Sequence, residues 1–132
     1  MSTRAKGTFT VSSWDENTYE ELGNGGKLTK AHVKFGLDGD LQADGGWEAV
    51  MCYGQDGTAS FTGFQHTSGA LGGKRGDFVL RADGTFSDGQ ARTYWQVVQG
   101  SATGDLAGLQ GSGTAVTTSG SGGDFTFDYE LG

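Results

Sequence analysis

Proline is absent from this 132-residue chain and cysteine occurs once, while glycine occurs 26 times; average usage would supply about 7 prolines and about 9 glycines. Without proline, and with glycine following no period, collagen and Pro-rich linkers are excluded. Eight Phe, four Tyr and three Trp spread along the chain argue against Gly-rich disorder. The lone Cys52 rules out an internal disulfide, and no CxxC or Cys/His pairing offers a structural zinc site, so a reducing, cytoplasmic setting is expected. The apolar core of a signal peptide is missing after Arg4 and Lys6, and the longest apolar run, Ala49 to Tyr53, is far short of the ~20 residues of a spanning helix. Cations are scarce: nine Lys and Arg face 16 Asp and Glu, for a net charge of −7. Such a field repels phosphate backbones and anionic lipid, so neither nucleic acid nor a membrane is an expected partner. The length suits a single domain over residues 1–132.

What the chain does contain is apolar alternation with period two. Phe9 and Val11 alternate with Thr8, Thr10 and Ser12; Ala31, Val33, Phe35 and Leu37 alternate with Lys30, His32 and Lys34; Phe125, Phe127, Tyr129 and Leu131 alternate with polar neighbours. That is the pattern of half-buried strands. The best helical candidate is one or two turns over Asp15 to Leu22. Asp56-Gly57 and Asp83-Gly84 read as hairpin turns, and Asp38-Gly39, Gly45-Gly46, Gly72-Gly73 and 120–123 as further turns or bulges. The runs between them give about eight strands, over 6–14, 27–37, 40–54, 58–67, 76–82, 85–98, 103–116 and 124–131. Short turns between consecutive strands make an antiparallel up-and-down sheet. Closing it into an eight-stranded β-barrel removes both exposed edges, so the expected fold is all-β.

Several stretches resemble the bacterial family catalogued as domain of unknown function 3224. They are Lys6 to Val11 with Ser13-Trp14-Asp15-Glu16, Tyr53 to Gly63, Gly69 to Leu80, Gly100 to Gly111 and Asp128 to Leu131. The resemblance runs nearly end to end, and its motifs are turns and strand cores. It implies a lipocalin-like barrel related to allene oxide cyclase, with a small-molecule cavity. Relatives commonly carry an acidic residue where this chain has Gln65, and often a His where it has Ala82.

Candidate site residues follow from the expected hairpin. A two-residue turn at Asp56-Gly57 pairs Gly54 with Ala59, Cys52 with Phe61, Val50 with Gly63 and Glu48 with Gln65. Their small side chains would leave room in a lumen, so Glu48, Cys52, Phe61 and Gln65 are expected inside; the opposite face, with Trp47, Met51, Tyr53, Phe64 and His66, would fill it. A desolvated Glu48 would serve as general acid or base, or else lie hydrated at a mouth, with Gln65 orienting a carbonyl and Tyr129 assisting. Trp95 and Tyr129, with Tyr94 and the one cation Arg92 nearby, would form an aromatic wall for an oxygenated apolar ligand, or simply pack, and Phe78 is a further expected ligand contact. Cys52 has no basic neighbour to activate it. His32 and His66 lack a third ligand, so no metal is expected, nor any cofactor. Gly104, Gly108, Gly111 and Gly113 are not followed by a helix, and Lys74 lacks the rest of a phosphate loop. The acidic 15–21 stretch reads as a solvated loop or short helix, or as a lid with Trp14 and Tyr19 as its plug.

Three functions fit these readings. The first is a cofactor-free cyclase or isomerase that shapes an unsaturated, oxygenated substrate and is assisted by Glu48. The second is a binding or carrier protein for a small apolar metabolite. The third is a structural barrel with a filled lumen whose apolar outer face makes a subunit interface; apolar residues on both faces of strands three and four favour homo-oligomers under any of the three.

Overall fold

A computed structural model describes residues 2–119 and 121–131. Eight strands follow one another around a closed antiparallel barrel: β1 (Thr3–Glu21), β2 (Lys27–Gly39), β3 (Leu41–Tyr53), β4 (Ala59–Leu71), β5 (Lys74–Ser87), β6 (Gln90–Val97), β7 (Leu109–Ser119) and β8 (Gly122–Leu131), with β8 pairing back onto β1. The alternation seen in sequence becomes the in/out pleat of the wall: Ala31, Val33 and Leu37 are buried in β2 while Lys30 and Lys34 face solvent. The all-β barrel is the expected fold, and no helix among the described residues is long and apolar enough to cross a membrane.

The widest departures from the expected element bounds fall in three segments, and Gly45-Gly46, expected as a turn or bulge, sits within β3 in unbroken register. Asp83-Gly84 is not a turn but the middle of β5. Asp83 accepts hydrogen bonds from Thr62 and from Arg81 (2.9 Å), while Gly84 lies between Phe61 and Thr93 in the ladder. The reversal falls instead at Asp88-Gly89, where φ is 54° and 74°, the positive pair that a tight primed turn requires. The 103–108 stretch is not strand: Gly104–Leu106 forms a 3-10 turn that buries Leu106 completely. The acidic stretch after Trp14 is neither loop nor helix. It continues β1 to Glu21, paired only with β2; Asp15 stands opposite His32 in the ladder, and Glu21 meets the opposite charge of Lys27. β8 pairs with β1 only over Thr3–Thr10, and the Val11 N–H donates to the Ser121 carbonyl at 2.7 Å. Beyond that point the other edge of β1 has no strand partner among the described residues.

The interior is divided along its length. One end is solid: Leu41, Leu71, Phe78, Leu80, Leu106 and Phe127 are fully buried there, with Phe127 stacked on Phe78 (6.1 Å between centroids) and on Tyr129 (5.7 Å). The other end, where the connections 22–26, 54–58 and 88–89 lie, is hollow.

Candidate functional site

Aromatic rings laid along the wall, rather than across it, leave the hollow end open. Phe35 lies against its ladder partner Gly45, where a Cβ would come within 2.7 Å of the ring, and Phe61 lies against its partner Gly84 in the same way, at 2.9 Å. Small residues, Ala59, Ala82, Ala91 and Ala115, complete the wall. The result is a cavity of about 270 Å³, near the lower end of the range for small-molecule sites, about 300 Å³. Trp14, Trp47 and Trp95 all line it, and the exposed Trp14 and Phe86 mark its mouth.

Trp14 reaches the cavity because β1 carries a bulge. Val11 pairs with Phe35 and Ser13 with Lys34, so Ser12 is an extra residue, and its hydroxyl donates to the Lys34 carbonyl. Before the bulge the odd residues Ala5, Phe9 and Val11 turn inward; after it the even residues Trp14 and Glu16 do. Glu16 then ties three strands together at the rim. Its Oε1 accepts from the Trp14 indole (2.9 Å), and its Oε2 accepts from the Thr29 hydroxyl (2.7 Å) and the Tyr53 phenol (2.6 Å). Burial pushes the Glu16 carboxyl up, but the bonds from Tyr53, Thr29 and Trp14, with the charge of Lys27, outweigh it and hold the group below its ordinary value. Glu16 is thus an anion at neutral pH. Tyr53, in turn, is pushed up to about 12 by burial and by its bond to, and the charge of, Glu16. A raised value means that folding gains from the neutral phenol up to the unfolded pKa of 10.0 and loses that gain as pH climbs towards about 12. A tyrosinate absorbance titration of the folded protein is expected to show one late phase that Tyr53→Phe removes; its persistence in the variant would contradict the Glu16–Tyr53 pairing.

Deeper in, Gln65 is almost entirely buried yet lines the cavity, and its Nε2 donates to Thr67 Oγ1 at 3.1 Å. Directly across the ladder stands Trp47, whose buried indole N–H has no hydrogen-bond acceptor among the described residues. The Trp47 ring meets Phe61 edge to face at 5.2 Å. Among the described residues no three His, Cys, Asp or Glu side chains gather to hold a metal ion.

Residues 5–129 match the family described as protein of unknown function DUF3224. The chain belongs to the DUF3224 family. A crystal structure of a protein with unknown function from this family, from Shewanella oneidensis MR-1, has the same fold, with a TM-score of 0.79 at 24% identity over 100% of this chain and 98% of that one. No curated protein matches.

This DUF3224 barrel keeps Gln65, Phe61 and Trp95 of the expected site in its cavity and disperses the rest. Glu48 and Cys52 are exposed on the outside of β3, where Glu48 pairs with His32. The reason is a slip of one residue. The β3–β4 connection is a five-residue loop, 54–58, in which Asp56 Oδ1 accepts from the Thr58 N–H (3.1 Å) and hydroxyl (2.7 Å), so Tyr53 rather than Gly54 faces Ala59. Shifting register by one turns a whole strand over. Trp47, Met51 and Tyr53 therefore point inward, as on the face expected to fill the lumen, but Phe64 and His66 remain outside. Arg92 and Tyr94 face solvent on either side of the inward Thr93, which separates the expected cation from the aromatic wall. Phe78 and Tyr129 belong to the solid end. Tyr19 also lies outside the cavity, its ring 5.5 Å from Lys30 Nζ, so of the expected plug pair Trp14 stands at the mouth and Tyr19 does not. Gln65 and Ala82 both face the cavity.

Proposed function

We propose that the barrel binds a small, mainly apolar molecule in the open half of its lumen and does not transform it by acid–base chemistry. The observation that carries this reading is the lining itself. Tyr53 is its one titratable side chain among the described residues, and with its proton held to about 12 that phenol is a poor acid or base at neutral pH. Every other lining group among the described residues is aromatic, aliphatic, hydroxyl, amide or the Met51 thioether. An apolar cavity of this kind gains affinity by removing the ligand's surface from water, and dry engineered cavities of about 150 Å³ take up benzene for that reason.

The three cavity tryptophans make the reading testable. In a nuclear magnetic resonance titration with isopropylbenzene, the indole N–H signals of Trp14, Trp47 and Trp95 are expected to shift together and to saturate. Signals that stay fixed up to the solubility limit of the probe would refute a ligand-binding lumen.

A further inference from the structure

We infer that the natural ligand carries an uncharged oxygen, a carbonyl or a hydroxyl, at the end that enters first, and that Gln65 receives it. This rests on the ligand-binding reading above and specifies the chemistry of the ligand. Gln65 is 1% exposed, yet its amide makes a single hydrogen bond, to Thr67, among the described residues. A primary amide offers two donor hydrogens and a carbonyl acceptor, so a donor and an acceptor are left over deep in an apolar chamber. Leaving such groups unpaired in a buried wall is costly, and a well-packed leucine would line the cavity without that cost. Trp47, on the same rung of the β3–β4 ladder, adds a second buried N–H with no acceptor among the described residues. The amide hydrogen and the carbonyl that Gln65 has left over suit an oxygen that accepts, and a hydroxyl could donate to Gln65 as well.

The charge state follows from the surroundings. Among the described residues no Lys, Arg or His lines the cavity, and the ionised carboxylate of Glu16 stands at its rim. A carboxylate drawn inside would lose its water and gain no counter-ion. The ligand class is thus a compact ketone, aldehyde, phenol or alcohol rather than a fatty acid.

Three probes of nearly equal shape test this: isopropylbenzene, acetophenone and benzoate, titrated against the full chain and read from the indole N–H signals. Burying a ketone oxygen against a wall with no partner costs it at least about tenfold in affinity relative to the hydrocarbon. With Gln65 present, acetophenone is expected to bind within about threefold of isopropylbenzene, the amide having returned that loss. In Gln65→Leu, acetophenone is expected to weaken at least about tenfold while isopropylbenzene binds as before or tighter. Benzoate is expected to leave the signals unmoved at concentrations where acetophenone saturates. An unchanged affinity ratio in Gln65→Leu, a wild-type protein that disfavours acetophenone by about tenfold or more, or benzoate binding as tight as acetophenone would each overturn the inference while the hydrocarbon result upholds the ligand-binding lumen. Failure of isopropylbenzene itself would overturn both. If Gln65→Leu does not fold, the wild-type ratio of ketone to hydrocarbon decides alone.

Discussion

Replacing Phe127 with Ala is expected to destabilise the barrel by about 3–5 kcal/mol, the usual cost of deleting a fully buried aromatic ring. Phe127 has no exposed surface and touches both halves of the interior. It stacks on Phe78 and Tyr129 in the solid end, and its ring centroid stands 6.4 Å from that of Trp95, which lines the cavity. Its removal therefore leaves a void that the rings on either side are too rigid to fill by collapsing. For a domain whose whole stability is about 5–15 kcal/mol, a loss of this size brings some of the population close to unfolding. Equilibrium urea denaturation measures it directly. A cost under about 1 kcal/mol would show that the solid end repacks freely, which close-packed interiors rarely do.

Ala115→Phe is expected to abolish binding of isopropylbenzene while leaving the fold intact. Ala115 is buried on β7 with its side chain in the cavity wall, between Thr93 and Phe125 on the neighbouring strands. A phenyl group projected from this position occupies space that the ligand would need, so affinity should fall by about a hundredfold or more, or about 2.7 kcal/mol. The apolar surface the new ring buries offsets the strain it introduces, and the denaturation midpoint should move by no more than about 1 kcal/mol equivalent. A filled variant that still binds the probe at wild-type strength would place the binding site elsewhere and remove the basis for a functional lumen.

Much of the architecture could be read from the residues because the strands advertise themselves with strict alternation. Ala31 to Leu37 and Phe125 to Leu131 leave one choice of which side is buried, and an eight-membered antiparallel sheet has one economical closure. The site was less legible because it depends on single-residue insertions. Asp56-Gly57 offers a two-residue turn, but the Asp56 side chain captures Thr58 instead, and this local competition inverts β3 and carries Glu48 and Cys52 outside. On β4 the expected parity holds, which is why Phe61 and Gln65 are in the cavity. The Ser12 bulge produces a second inversion, and it brings a carboxylate, Glu16, to the mouth from a stretch whose acidity suggests a solvated segment. A trace of it is visible in the sequence: Val11 and Trp14, both large and apolar, are three apart, and no regular strand puts such a pair on one face. The Asp83-Gly84 pair misleads in the opposite sense, since its glycine lets the Arg92 carbonyl and the Phe61 ring come close to the backbone and does not reverse the chain.

The pairing of Phe35 with Gly45 has a consequence for how this barrel can diversify. The ring and the bare backbone beneath it act as one unit, and the capacity of the chamber depends on how flat that ring lies. A methyl group added at position 45 would not itself project far into the chamber; it would tilt Phe35 inward and shrink the space at a distance from the altered residue. Evolution can thus retune which guests fit by exchanging residues in the staves of the cask, leaving Gln65 and the rim carboxylate untouched, so that size preference and chemical preference are inherited separately.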